Sequence, residues 1–194
     1  MSSILQNNQP KLITLPEFVT SEERSKLEKI AKTYLKKKIL LPNPAGPNRF
    51  RAKIHDTKNC TSFISSIGER VISRLKLENY PVDEYLGWVV SLIQPGGFLQ
   101  LHIDEFGHYN NNNRRHLRCN VMVSRQNDTY DPLIEQSTIH MPECSLWAFF
   151  ASETQHGTQV ITGSKPRIVF QFGFSTPPEY VLNDTKNKGQ FWYG

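Results

Sequence analysis

The chain is poor in cysteine and has no long apolar run, and each absence excludes a class of protein. Its three cysteines, Cys60, Cys119 and Cys144, show no C-x-x-C spacing and cannot all pair with one another. A disulfide-stapled scaffold and a thiolate zinc site are set aside on that ground. No apolar stretch approaches the ~20 residues that a helix needs to cross a bilayer, and the first residues lack the basic-then-apolar pattern of a signal peptide. A cytoplasmic protein with reduced thiols and no membrane association is expected. A G-x-S-x-G nucleophile elbow is missing too, and so is a glycine-rich phosphate loop; Pro95-Gly96-Gly97 reads as a hairpin-type turn.

What is present fits a folded globular chain. Over 194 residues, 38% are apolar and 21% charged, which is enough for a real core and too apolar for disorder. We expect a single domain spanning 1–194. The formal charge of +5 would suit an acidic partner. Much of that excess, however, comes from Lys29, Lys32, Lys36, Lys37 and Lys38 on one expected helix, where a solvated face is the simpler reading than a nucleic-acid surface.

Two regimes of periodicity divide the chain. Residues 1–80 carry mainly helical signals. Thr20 with Glu23 three residues on matches a capping box, and Leu27, Ile30, Ala31 and Leu35 make one apolar stripe behind it. Pro42, Pro44, Gly46 and Pro47 predict a loop through about Asn48. A second helix fits Cys60–Leu77, with Phe63, Ile64, Ile67, Val71 and Leu75 on one side. From about Tyr85 to 176 the period becomes two. Trp88–Gln94, Phe98–Asp104, Leu117–Val123, Ser145–Ala151 and Arg167–Phe174 read as strands, and 177–194 as a C-terminal tail. Helices followed by short strands indicate an α+β fold, with the helices buttressing a sandwich or barrel.

The chemistry is expected in one of those strands. In Phe98–Asp104 the apolar Leu99, Leu101 and Ile103 alternate with Gln100, His102 and Asp104. An imidazole and a carboxylate two residues apart on one face can grip a metal from one side. Alone, H-x-D is a weak signal. His156 follows Asp104 by 52 residues, in the turn expected after Ser145–Ala151, with Gly157 beside it to ease that turn. Arg167 follows His156 by 11 residues and opens an apolar strand, where a guanidinium needs an anionic partner.

With these four positions in view, the chain resembles the 2-oxoglutarate- and iron(II)-dependent oxygenases. Leu15–Glu23 is similar to the helical lead-in of their prolyl-hydroxylase-like branch, and Pro142–Leu146 to its turn before the strand delivering the distal histidine, with Cys144 in place of the usual glycine. The resemblance covers residues 13–176. It implies a double-stranded β-helix of the jelly-roll, cupin-like kind, and metal ligation by His102, Asp104 and His156. It implies that Arg167 binds the tail carboxylate of 2-oxoglutarate. The cofactors it implies are Fe(II), 2-oxoglutarate as co-substrate and O2, with ascorbate as a candidate reductant. Decarboxylation to succinate would then accompany hydroxylation of a substrate C–H bond.

Four further residues are candidates for touching 2-oxoglutarate or substrate: Arg118 and Asn120 by strand face, and Gln94 and Tyr85 by hydrogen-bonding capacity. Trp88 can wall a pocket or fill the core. His55, His108, His116 and His140 have no ligand pattern. The favoured substrate is an amino acid, a peptide or a protein side chain. An AlkB-like nucleic-acid demethylase is the second reading, but Arg167–Phe172 lacks the Asn and second Arg of that branch, so nucleic acid is not expected. A non-catalytic cupin-like metal- or ligand-binding module is the third. Oligomeric state is not legible, and the 40–58 loop, the 105–116 loop and the tail, as expected rims of the pocket, carry no readable code.

Overall fold

The computed structural model describes residues 10–104, 113–182 and 189–192. His108, most of the Asn110–Asn113 run and Tyr193 lie outside the described residues.

Helix α1 (Ser21–Lys36) starts where its capping box places it: the Thr20 side chain accepts from the Glu23 N–H, and the Glu23 carboxylate accepts from the Thr20 N–H. Leu27, Ala31 and Tyr34 are buried, and the five lysines are exposed, as a solvated face requires. Helix α2 (Ser62–Leu75) is capped by Thr61 and ends at Lys76 in the left-handed region. It buries Ile64, Ile67, Gly68, Val71 and Leu75. Gly68 is required by close approach, because a Cβ there would lie 2.3 Å from the Trp88 ring. Trp88 is thereby a core residue.

Eleven strands form two antiparallel sheets among the described residues. They are β1 (Leu12–Leu15), β2 (Leu41–Pro42), β3 (Arg49–Lys53), β4 (Trp88–Ile93), β5 (Arg115–Ser124), β6 (Pro132–Ile134), β7 (Ser137–Thr138), β8 (Leu146–Phe150), β9 (His156–Thr158), β10 (Arg167–Thr176) and β11 (Gln190–Trp192). The large sheet runs β11-β1-β8-β5-β10-β4-β3-β2, and the small one β7-β6-β9. One face of the large sheet packs on the helices. Val90, Leu92, Leu117, Cys119, Val121, Leu146, Ala148, Ile168, Phe170 and Phe172 join the helix stripes in one cluster. The alternate residues, Met122, Trp147, Phe149 and Val169, face the other way and pack with Ile134 of the small sheet.

Several expected elements change. Residues 1–80 are not purely helical: β1 pairs with β8, and β3 pairs with β4. Phe98–Asp104 is not a ladder strand. It is an extended edge segment joined to β9 by Thr158 N–H to Leu99 O, and by an exchange of both bonds between His102 and His156. Its alternation survives only in part, because Gln100 is exposed while Leu99 lines the cavity with His102 and Asp104. His156 stands in β9 rather than in a turn. Gly157 serves close approach and not turning: a Cβ there would come 2.8 Å from Leu99 O and 3.1 Å from Leu101 Cα. The tail contributes β11, which closes over the β1 edge.

Among the described residues, no helix is long and apolar enough to cross a membrane, and the three cysteines are free.

Candidate metal centre and active site

Between the two sheets lies a cavity walled by β3, β5, β8 and β10 on one side and by β6, β9 and the 98–104 segment on the other. His102, Asp104 and His156 meet there, with one donor atom of each within 4.8 Å of the others. The His102 Nε2 is 3.2 Å and the His156 Nε2 3.8 Å from Asp104 Oδ1.

The backbone sets the tautomer of both rings. His102 Nδ1 lies 2.8 Å from Gln100 O, and His156 Nδ1 lies 2.9 Å from Thr154 O. A carbonyl only accepts, so each Nδ1 carries a hydrogen, and each Nε2 faces the shared point, where it offers its lone pair whenever the ring is neutral. Such a partner behind the imidazole is how metal-binding histidines are oriented. Burial keeps His156 neutral by lowering its pKa to about 4, against the pull of Asp104. His102 is shifted up, chiefly because its protonated Nε2 donates to Asp104, a proton that a bound cation would displace. Burial opposes ionisation of Asp104, but His102, Arg118 and the neighbouring imidazoles outweigh it and hold the carboxyl well below its ordinary range. Two pinned imidazoles and one ionised carboxylate are the donor set that suits a divalent iron site with open positions.

Arg118, on the inner face of β5, donates to Asp104 Oδ2 at 2.9 Å. The same carboxylate oxygen is 3.4 Å from His116 Nδ1, so His116 supports the cluster from behind rather than joining it. Two rungs along β5, Asn120 Oδ1 accepts from Gln171 Nε2 at 2.9 Å, while its buried Nδ2 has no hydrogen-bond partner among the described residues. At the far end Arg167 is buried, and its Nε donates to Tyr130 O at 2.6 Å. Burial lowers its pKa to about 10, with Asp131 opposing and Arg49 adding to the shift. Trp147 lies within cation–π range, 5.8 Å from ring centroid to guanidinium. A buried guanidinium and an orphaned amide donor in one cavity fit a ligand carrying carboxylates.

Of the residues singled out by sequence, the structure brings His102, Asp104, His156, Arg118, Asn120 and Arg167 to one cavity. Gln94 and Tyr85 are not among its lining residues; Gln94 follows the end of β4, and Tyr85 is 65% exposed. Sequence reasoning missed Arg49 and Arg51 of β3, and Trp147, Phe149 and Gln171. The alternation Arg49-Phe50-Arg51-Ala52-Lys53 was the available signal, obscured by the neighbouring Pro-rich loop.

A second acidic group, Asp128, Asp131 and His140, also has ligand spacing. Arg125 already fills it, pairing with Asp131 at 2.9 Å and with Asp128 at 2.7 Å.

No family model matches the chain, and no curated protein matches its sequence. Solved structures do match in three dimensions. A viral collagen prolyl hydroxylase from Paramecium Bursaria Chlorella virus-1, in complex with 2-oxoglutarate, superposes with a TM-score of 0.65 at 14% identity, over 89% of this chain and 99% of that one. A prolyl hydroxylase from Trichoplax adhaerens, bound to a hypoxia inducible factor peptide fragment, gives 0.63 at 16% identity, over 94% and 88%. HygX from Streptomyces hygroscopicus, with nickel and 2-oxoglutarate bound, gives 0.64 at 11% identity, over 93% and 90%. The chain therefore has the double-stranded β-helix fold of these oxygenases, with α1 and α2 buttressing the large sheet.

Proposed function

We propose that this chain, acting as one oxygenase domain over 1–194, is an Fe(II)- and 2-oxoglutarate-dependent dioxygenase that hydroxylates a C–H bond of an amino acid, a peptide or a protein side chain. The observation that carries the reading is the pinned His102–Asp104–His156 cluster sharing one cavity with the buried Arg167. The fold shared with 2-oxoglutarate-bound structures supports it. When bound, iron(II) with 2-oxoglutarate and O2 supplies the oxidising power, and the co-substrate leaves as succinate and CO2.

The chain's own residues bind, orient and exclude water. His102 and His156 offer Nε2 lone pairs, and Asp104 offers a carboxylate that is ionised at neutral pH. Arg118 keeps Asp104 turned into the cavity. Arg167, whose Nε is committed to Tyr130, has its remaining donors left to hold the distal carboxylate of 2-oxoglutarate, and would do so when the co-substrate is bound. The spare Nδ2 of Asn120 would donate to the same molecule. Leu99, Ile134, Trp147 and Phe149 form the dry part of the wall, which limits side reactions with water.

The test is release of succinate from 2-oxoglutarate by purified protein with Fe(II), ascorbate and O2, across a panel of amino acids and peptides. Succinate above a His102→Ala control is expected. Metal binding without any succinate would leave a non-catalytic cupin-like module instead. Independently, Mn(II) with N-oxalylglycine should raise the melting temperature.

A further inference from the structure

Among the described residues, four arginines, Arg49, Arg51, Arg118 and Arg167, line the cavity against a single carboxylate, Asp104. Two of the four have work within the reading above: Arg118 is paired to Asp104, and Arg167 is assigned the 2-oxoglutarate tail. A divalent metal and a dianionic co-substrate cancel each other's charge, so neither offsets the rest. Arg49 and Arg51 remain.

Both stand on the inner face of β3, separated by one residue, so the pleat directs them the same way. Arg49 is 7% exposed. One terminal nitrogen donates to Asn43 Oδ1 at 2.6 Å, and its buried Nε has no partner among the described residues. The side chain of Arg51 is half-buried and makes no hydrogen bond or ion pair with the described residues. Burial and the mutual repulsion of Arg49, Arg51 and Arg118 lower the pKa of Arg49 to about 10. Two like charges two residues apart, one of them stripped of water, persist where an anion completes them. Surface arginines need no such partner, but an unpartnered guanidinium nitrogen in a cavity does.

We propose that Arg49 and Arg51 form an oxyanion subsite for the primary substrate, which presents a terminal carboxylate or phosphate group there while its oxidised carbon faces the metal. The pair lies on β3, on the opposite side of β4 from β10, which carries Arg167, so the two anion sites are held by different strands of one wall. The burial of Arg49 favours a terminal group over the backbone of a polymer, because only a chain end or a free small molecule can insert its charge so far. Planar forks suit both oxyanions. This inference rests on the oxygenase reading for the roles of metal and co-substrate, but the subsite is testable without turnover.

The experiment uses the full chain loaded with Mn(II) and N-oxalylglycine, titrated with inorganic phosphate or acetate at constant ionic strength against chloride. Binding is followed by calorimetry and by melting temperature. We expect phosphate or acetate to bind in addition to N-oxalylglycine, and the tighter of the two names the oxyanion. Arg51→Gln should weaken that binding tenfold or more while leaving the N-oxalylglycine affinity within twofold. Arg49→Lys, which keeps the buried charge, serves as a second variant and should weaken it by losing the fork. No binding beyond chloride, or undiminished binding in both variants, overturns the subsite. A tenfold loss of N-oxalylglycine affinity in Arg51→Gln overturns it as well, since the pair would then hold the co-substrate. Failure of Mn(II) and N-oxalylglycine to bind the wild-type chain sinks the oxygenase reading instead. The same phosphate titration on the unloaded chain, wild type against Arg51→Gln, then still decides for or against the arginine pair.

Discussion

At the scale of single residues, Arg118 has the most exposed consequence. Its guanidinium and the Asp104 carboxylate are both largely buried, at 5% and 14% side-chain exposure, and 2.9 Å apart. Removing one partner of such a pair strands the other's charge, at a cost of roughly 3 kcal/mol or more. Arg118→Leu is therefore expected to lower the melting temperature of the metal-free protein markedly. A divalent cation bound at Asp104 would supply the missing positive charge. The gap between wild type and variant should thus narrow when Mn(II) is added, read by thermal denaturation with and without EDTA. An equal gap under both conditions would mean that Arg118 matters through packing alone. His102 and His156 illustrate a subtler point at the same scale, since the atom facing the cavity is selected by the carbonyl two residues back, a bond that no side-chain pattern announces.

At the scale of elements, α1 and α2 are tied by one carboxylate. Glu23 closes the capping box of α1 and also takes a hydrogen bond from Arg70 of α2 at 2.9 Å. Burial opposes its ionisation, but Arg70 and the Thr20 N–H prevail, and its pKa is lowered from the usual 4.5. A depressed folded pKa means stability that is present above the unfolded value and lost as pH falls through the folded one. Glu23→Gln should accordingly cost about 1 kcal/mol near pH 7, and the difference from wild type should begin to shrink as pH falls below the unfolded value of about 4.3 and vanish only below the lowered folded one. Urea denaturation across that pH range measures this. The capping box was legible because it is local: Thr20, Glu23 and the stripe behind them lie within a few turns of one helix. The strand of the H-x-D motif was misread for the opposite reason. Alternation over Phe98–Asp104 signals an extended chain, but whether that chain gains a ladder depends on what lies beside it, and only β9 does.

At the scale of the whole molecule, the candidate site closes a gap between sheets. His102 and Asp104 belong to the edge segment, His156 to β9 of the small sheet, and Arg118, Asn120 and Arg167 to the large sheet. A metal held by the first three would clamp the edge segment to β9. Hydrogen exchange is the direct probe, because the His102, Asp104 and His156 N–H groups all donate in this region, to His156 O, Ala151 O and His102 O. Mn(II) is expected to slow exchange at these amides far more than at those of β5. Uniform slowing across the protein would mean global stabilisation without a local clamp.

Periodicity alone determined the two helices and five extended segments, because helix stripes, strand alternation and a capping box depend on neighbours in the chain; spacing singled out four residues of the candidate site, and only the resemblance gave them roles. The tertiary structure decided the rest. It placed β1 between β8 and β11, turned β3 inward beside β4, and left Gln94 and Tyr85 outside the cavity wall. It also showed that Gly157 is small for the sake of Leu99 and Leu101 rather than for a turn. The arginine pair of β3 belongs here too. A local pattern records which way a side chain points relative to its own strand, whereas the charge it must meet there is set by residues that only folding brings across the cavity.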